Sequence, residues 1–453
     1  MTILQQNKDF YMSIENDVLD KLRNIIDPDL GQDIVTLGFV KELKISGGDV
    51  SFQLELTTPA CPVKEEFKRQ AVSLVSELSW VDKVDVEMTA QASSPRSNSS
   101  LKGLTGVKNV IAVYSCKGGV GKSTVAVNLA CTLAATGAKV GIFDADVYGP
   151  SLPSMVTIDD TSIYQQDNLL VPLEYNGMKV MSFGFVNTES EAAIMRGPMV
   201  SQVTSQLLGG VNWGELDYLV IDFPPGTGDI QLTLLQTVEV TAAVMVTTPQ
   251  NLSFIDVVKG IQMFDTLKVP TVACVENMSY YICDGCDKKH RLFGSGALRR
   301  LQEMYGFKNA FEIPVIEELS TMGDTGIPTV VEESSGLVAK IYADISSSVV
   351  REIARMKFGQ TPKPEVEFVE GKGVRFNYNG FEKYISPKTL RAECRCARCV
   401  DEITGEQILD KSKVPENIQP TNIAPMGNYA VSVVWSDGHT SSVYPYEVLK
   451  KLG

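Results

Sequence analysis

Residues 114–124 read Tyr-Ser-Cys-Lys-Gly-Gly-Val-Gly-Lys-Ser-Thr, and no other stretch of the chain limits the possible folds so strongly. The ending Gly121-Lys122-Ser123 is phosphate-loop chemistry. Backbone N–H groups across Gly118, Gly119, Val120, Gly121, Lys122, Ser123 and Thr124 cradle phosphate oxygens. The Lys122 ammonium reaches the β and γ oxygens of ATP, and the Ser123 hydroxyl ligates Mg²⁺. The apolar run 109–113 before the loop and the helical pattern 125–133 after it supply the strand and helix that such a loop joins. Cys116 stands where the plain form of the loop begins with glycine, and a second lysine, Lys117, follows it. Lys117 lies too early to serve its own phosphates. It is expected to reach the γ-phosphate of a facing copy, which makes ATP hydrolysis depend on a homodimer.

Short apolar runs at 140–143, 218–221, 242–246 and 271–275 alternate with helical stretches and show no in/out alternation. Strands buried on both faces read this way, so the expected fold class is α/β: a central doubly wound parallel sheet of a P-loop ATPase with a deviant loop, covered by helices on both sides. A small α/β domain (13–92) precedes it, with a helix over 16–26, a half-buried strand where Val50, Phe52, Leu54 and Leu56 alternate with polar residues, a helix over 63–78 and a strand near 84–86. The Ser- and Pro-rich residues 93–106 are a linker, the ATPase domain spans 107–358, and a small β-rich, zinc-binding-like domain follows at 359–453. No internal repeat and no other low-complexity tract is evident. Asp144 and Asp146 at the end of one strand, and Asp222 at the end of another, are placed to hold the Mg²⁺ shell and orient an attacking water.

The charge balance narrows the partners. With 41 basic against 55 acidic residues the net charge is −14, which repels phosphate backbones and anionic lipid. Neither nucleic acid nor a membrane is expected. The polar start carries no targeting signal and no run approaches a membrane span, which favours the cytoplasm; the alternative is a plastid stroma after removal of a transit peptide. Nine cysteines in so long a chain, clustered at 283/286 and 394/396/399, speak for metal rather than disulfides.

Five segments, Lys117–Thr124, Phe143–Ser151, Met195–Met199, Asp222–Asp229 and Glu276–Ser279, resemble the Mrp/ApbC family of iron–sulfur cluster carrier ATPases, relatives of the cell-division and partition ATPases and of the nitrogenase iron protein. The resemblance covers the central domain. It implies that Lys117 acts in trans, that Asp146 positions the water and that Asn277 reads the adenine edge.

Cys283-Asp-Gly-Cys286 offers only two thiolates, with His290 nearby. Two copies facing across a dimer axis would supply four, enough for one bridging 4Fe–4S cluster, and the Mrp-type resemblance implies a labile cluster at such a pair. The alternative is a zinc knuckle of Cys283, Cys286, His290 and an unidentified fourth ligand. Cys394, Cys396 and Cys399, with His439 in a turn between two strand-like runs, make a closed tetrahedral set suited to Zn²⁺, or else to a second cluster. Their segment resembles the C-terminal module of plastid high-chlorophyll-fluorescence-type carriers and the N-terminus of γ-butyrobetaine hydroxylases. Asp27–Asp29 with Thr58–Cys61 resembles SufT-like assembly domains. Cys61, before a helix begun by Pro62, is a candidate reactive thiol, because a helix N-terminus lowers a thiol's pKa; the alternative is a buried cysteine acting as a small hydrophobe. Cys116, Cys131 and Cys274 fall in or beside apolar runs and are expected to be structural.

The three segments in this order look like the three-domain carrier of that plastid type. They point to an ATP-dependent scaffold or carrier that passes a cluster to apo iron–sulfur proteins and works with cluster-assembly factors. The competing readings are an ATP-driven dimerisation switch without a cluster and an ATP-coupled electron donor.

Overall fold

The computed structural model describes residues 14–56, 58–90, 101–187, 197–358, 364–378, 380–396, 398–401, 406–426, 429–440 and 442–452. Most of the expected linker and of the Pro-bearing break near 360, together with Met195 and Arg196, lie outside the described residues. The chain divides into two compact units, one holding residues up to 94 with 135–138 and 349–361, the other holding the rest.

In the first unit a helix covers residues 14–22 and buries Val18 and Leu22. It stops four residues short of the expected end. Ile26 is drawn into an extended bridge with Asp33, and Asp27 Oδ1 accepts the N–H groups of Asp29 and Leu30 at 2.7 and 2.9 Å, forming a turn that Pro28 stabilises by disfavouring helical backbone at Asp27. Asp49–Leu56 pairs antiparallel with Val40–Ser46 and parallel with Lys83–Ala90. Val50, Phe52, Leu54 and Leu56 all point inward, against Phe67, Ala71 and Val75 of the helix Lys64–Ser76. Residues four apart fall on one helix face, which is why this helix can cover the sheet. Cys61 departs from expectation. The helix begins at Lys64, so Pro62 is not its first residue, and burial pushes the Cys61 thiol up to about 11 with the Asp27 and Asp29 carboxylates adding to the rise. Burial favours the alternative, a cysteine that packs as a small hydrophobe, over a helix-activated thiol.

The second unit is built on an eight-stranded sheet in the order Ala310–Glu312, Thr271–Glu276, Ala242–Thr247, Val107–Tyr114, Leu216–Asp222, Val140–Asp144, Met178–Ser182, Leu173–Tyr175. Every residue of 140–144, 216–222, 242–247 and 271–276 is buried, so both faces are covered. All pairs are parallel except the last. That antiparallel edge strand arises locally, because Asn176 and Gly177 take positive φ (47° and 76°) in a two-residue hairpin turn between Tyr175 and Met178. The chain winds outward from Val107–Tyr114 first to one side and then to the other. The strand order therefore reverses beside that strand, where ligand crevices of open α/β sheets form.

The carboxyl-terminal part carries two three-stranded antiparallel sheets, Glu365–Val369/Gly373–Tyr378/Phe381–Ile385 and Pro420–Met426/Ala430–Trp435/Ser442–Pro445. It shares a core with the central sheet: Met426 and Ala430 belong to the same buried cluster as Val257, Ile261 and Phe264. Tyr429 packs on Phe307 with ring centroids 4.7 Å apart, and its hydroxyl donates to the Asp265 carboxylate at 2.8 Å.

Burial holds the Asp265 carboxyl up at about 7, above an ordinary value of 3.8. A group that binds its proton more tightly when folded contributes stability that is fully present below the unfolded pKa and lost as pH rises through the folded one. The second unit should therefore lose stability between about pH 4 and about pH 7, and Asp144, also raised to about 7, contributes with the same sign. Asp265→Asn should shrink the fall in urea midpoint between about pH 4.5 and about pH 8. An unchanged fall would show that Asp265 does not titrate in this window.

Candidate nucleotide and metal sites

The phosphate loop turns on two glycines, Gly119 and Gly121, with φ of 77° and 81°. Left-handed backbone at alternating positions aims successive N–H groups into one concavity, the arrangement that receives an anion. The helix Lys122–Ala135 starts directly from the loop and adds its free N–H groups. Asn277, at the end of Thr271–Glu276, braces this turn: its Nδ2 donates to Val120 O at 2.9 Å, and its backbone N–H donates to Thr247 O at 2.8 Å.

Beneath the loop Lys122, at the start of its helix, is buried with Asp144 and Asp222, which end adjacent strands. The Lys122 ammonium donates to Asp222 Oδ1 and lies 3.4 Å from Ser123 Oγ. Asp144, 1% exposed, accepts N–H groups from Asp146 (3.0 Å), Ser151 (2.9 Å) and Leu152 (3.1 Å) and the Ser182 hydroxyl (3.2 Å). Burial, reinforced by the charge of Asp222, raises its carboxyl to about 7. Both Asp144 oxygens are thus engaged in holding the 145–152 loop. Asp146, half-buried, accepts the Tyr148 and Gly149 N–H groups through Oδ1, both at 3.2 Å.

Two residues that sequence reading passed over, Asp256 and Gln231, complete the site. Lys117 lies 3.5 Å from Asp256 Oδ2, and Cys116 Sγ donates to the Asp256 carbonyl at 2.7 Å. The one acidic residue in the first ten of the helix Asn251–Thr266 was the available signal. Gln231 holds the loop after Asp222, with Oε1 accepting the Gly228 N–H and Nε2 donating to the Pro224 and Pro225 carbonyls at 3.2 and 2.7 Å. No local pattern marks that role.

Six residues beyond Asn277, Cys283 and Cys286 sit at the tip of a hairpin formed by Tyr281–Ile282 and Lys289–His290. Both sulfurs and a His290 ring nitrogen lie within 4.8 Å of one another at the surface. Backbone N–H groups of Gly285 and Cys286 and the Cys286 thiol hold the Cys283 thiol below its usual range.

The second cysteine set is buried. Cys394, Cys396 and Cys399 Sγ stand 3.4, 3.2 and 3.8 Å from His439 Nε2. A tetrahedral ion with bonds of about 2.3 Å to sulfur and about 2.0 Å to nitrogen separates those atoms by about 3.5 Å, so the four donors fit one closed shell. Outer partners orient them. Arg391 Nη1 donates to Cys399 Sγ at 3.3 Å while its Nε bonds Asp437 at 2.9 Å, and the Ser442 hydroxyl, held by Trp435 Nε1, donates to Cys394 Sγ at 3.2 Å. The Cys394 thiol, hydrogen-bonded chiefly by Cys396, falls to about 4.

A phosphate loop at a sheet switch point, a second loop lysine and two separate cysteine sets define a metal-handling P-loop NTPase. The family described as NUBPL iron-transfer P-loop NTPase matches residues 106–350, the N-terminal domain of gamma-butyrobetaine hydroxylase-like proteins matches 368–450, and the iron-sulfur cluster assembly protein family matches 15–88. The chain belongs to the NUBPL iron-transfer P-loop NTPase family, the Mrp/ApbC-type group its motifs resemble, and is an ATPase. It is 50% identical over 97% of its length to the Fe-S cluster assembly factor HCF101, chloroplastic, of Oryza sativa subsp. japonica, covering 83% of that protein. It is 41% identical over 74% of its length to the iron-sulfur cluster carrier protein of Synechocystis sp., covering 97% of it. A solved nucleotide-binding protein from Archaeoglobus fulgidus in complex with ADP is 38% identical, with 53% of this chain and 94% of that chain covered and a TM-score of 0.46. Among the described residues no helix is long and apolar enough to cross a membrane.

A Cβ on Gly121 would meet Asn277 Nδ2 at 2.1 Å on backbone already at positive φ. Gly121→Ala is therefore expected to displace Asn277, to lower ADP affinity by at least about tenfold and to lower stability by about 1–2 kcal/mol. Calorimetric titration with ADP checks it, and wild-type affinity would show that the Asn277 brace is dispensable.

Proposed function

We propose that the chain is an ATP-dependent scaffold and carrier that assembles a 4Fe–4S cluster between Cys283 and Cys286 of two copies and passes it to apo iron–sulfur proteins. One observation carries this reading: Asn277 braces the phosphate loop at Val120, and the same short segment leads six residues on to the cysteine hairpin. A change at the nucleotide is thereby linked to the sulfurs through six residues of backbone.

In this reading Gly118–Thr124 hold the phosphates, Lys122 neutralises the β and γ oxygens and Ser123 ligates Mg²⁺. Asp222, hydrogen-bonded to Lys122, would help to hold the water shell of that ion. Asp146 orients the attacking water through its other oxygen, and Asn277 presents its amide to the adenine. Lys117 exchanges Asp256 for the γ-phosphate of the facing copy, so hydrolysis accompanies closure of a homodimer and release follows its reopening. A half-buried Cys283 and an exposed Cys286 per copy suit a labile cargo, because four thiolates are needed and they are complete only across the dimer.

The buried set Cys394, Cys396, Cys399 and His439 suits a resident Zn²⁺, which would tie the segment 394–399 to the hairpin carrying His439 and supply folding stability rather than chemistry. Cluster-assembly factors and apo-acceptors are the partners of the proposal. The acidic balance speaks against nucleic acid and anionic membranes. The compartment of the proposal is the cytoplasm, with the plastid stroma as the alternative that the chloroplastic relative supports.

Holo-protein mixed anaerobically with an apo-acceptor should restore the acceptor's activity at a rate that changes about tenfold or more between ATP and no nucleotide. Lys117→Ala should bind ATP yet abolish that dependence. Absence of transfer under every nucleotide condition would overturn the carrier role.

A further inference from the structure

We infer that Cys283, Cys286 and His290 of a single copy form a mononuclear metal site, three donors and an open fourth position, which takes a divalent thiophilic ion such as Zn²⁺ or Fe²⁺. The inference rests on the cysteine pair of the proposed cluster site and adds to it a third ligand and a second occupant.

The hairpin is built for this. Tyr281 pairs with His290 and Ile282 with Lys289, so the register places the imidazole at the base of the turn that carries the thiols. Cys283 O accepts the N–H groups of Cys286 (3.3 Å) and Asp287 (2.8 Å), and Cys283 N–H donates to Lys288 O at 3.0 Å. Asp287 at φ +55° reverses the chain. The turn thus folds both thiols over the strand that bears His290, and the three ligand atoms come within 4.8 Å of one another inside one chain.

The hairpin is also held at its base. Tyr281 bridges to Val315, and Tyr280 O accepts the Val315 N–H at 2.7 Å. Next to His290, Arg291 Nη1 bonds Glu312 at 2.7 Å and Ser279 Oγ at 3.2 Å, fastening the return strand to the sheet edge. The donors keep their mutual placement without a second copy.

Two thiolates and a neutral imidazole cancel the charge of a divalent ion, and sulfur with imidazole is the donor mix that zinc and its neighbours prefer. Three donors fall one short of a closed shell. The surface position of Cys286 and His290 leaves the fourth place to water or an incoming thiolate, unlike the buried four-donor set near His439. A bridging cluster draws both thiolates from each copy, so the single ion and the cluster exclude one another. Exchange breaks the ion's two sulfur bonds and its His290 bond and releases it hydrated, with no change of oxidation state. Excess Zn²⁺ should therefore block cluster loading.

The test titrates metal-stripped full-length protein anaerobically with Co²⁺ and follows sulfur-to-cobalt charge transfer, using Cys283→Ser/Cys286→Ser to subtract the signal of the buried site. One Co²⁺ per chain at the hairpin, weakened roughly tenfold or more by His290→Ala, is the expected result. Equal affinity in His290→Ala, or one Co²⁺ per two chains, would overturn the proposal. His290→Ala should still take up about four iron and four sulfide per two chains; loss of that cluster would show His290 to be a cluster ligand and overturn the exchange. Full iron and sulfide in the cysteine double variant would instead refute the cluster reading, while the cobalt stoichiometry stands by itself.

Discussion

The buried ion pair between Lys122 and Asp222 is the constraint around which the second unit is organised. An ammonium and a carboxylate taken out of water are destabilising unless each keeps a partner, and here they sit among fully buried strand ends with Asp144 beside them. Three consequences follow. The strands 107–114, 140–144 and 216–222 must end in register, as their pairing shows. Asp144, destabilised by the charge of Asp222, must be tied down, and it is, by three backbone N–H groups and Ser182. The loop above must present N–H groups to whatever anion engages Lys122, which its two left-handed glycines accomplish.

From that centre, order reaches outward along two routes. One runs through Asn277 to the cysteine hairpin, where the Tyr281–Val315 bridge and the Arg291–Glu312 pair anchor it to the sheet edge. The other runs along the helix Asn251–Thr266, which holds Lys117 and Cys116 near its start through Asp256 and Tyr429 near its end through Asp265. The module bearing the buried cysteines therefore packs on the same helix that engages the second loop lysine. Strands, loop and modules share a few long-range polar contacts, of which the Asn277–Val120 bond is buried and the Arg291–Glu312 pair lies at the surface.

The parts legible in the sequence were those encoded locally. Unbroken apolar runs announced the parallel strands, since a strand buried on both faces has no polar side. The loop glycines announced their own backbone conformation, and the spacing of Cys394, Cys396 and Cys399 announced a group of sulfurs that the fold gathers around His439. What escaped depended on partners distant in sequence. Asp256, Gln231, Arg391 and the Asp265–Tyr429 bond are chosen by tertiary packing, and no periodicity encodes them. Cys61 failed for a related reason: its rule about helix N-termini was sound, but the helix began at Lys64 and burial set the thiol's character. The edge hairpin at Asn176-Gly177 was written in a turn signal that the expected sheet left no reason to use.

The central claim is that one hairpin carries a transferable cluster while a separate buried set carries a resident ion. Iron, acid-labile sulfide and zinc measured together, anaerobically, on intact protein and on the Cys283→Ser/Cys286→Ser variant address it directly. About four iron and four sulfide per two chains, lost in the variant while about one zinc per chain persists, is the predicted result. Iron retained in the variant, or none in either protein after reconstitution, would contradict it and shift attention to Cys394, Cys396 and Cys399 or to a switch that carries no cluster.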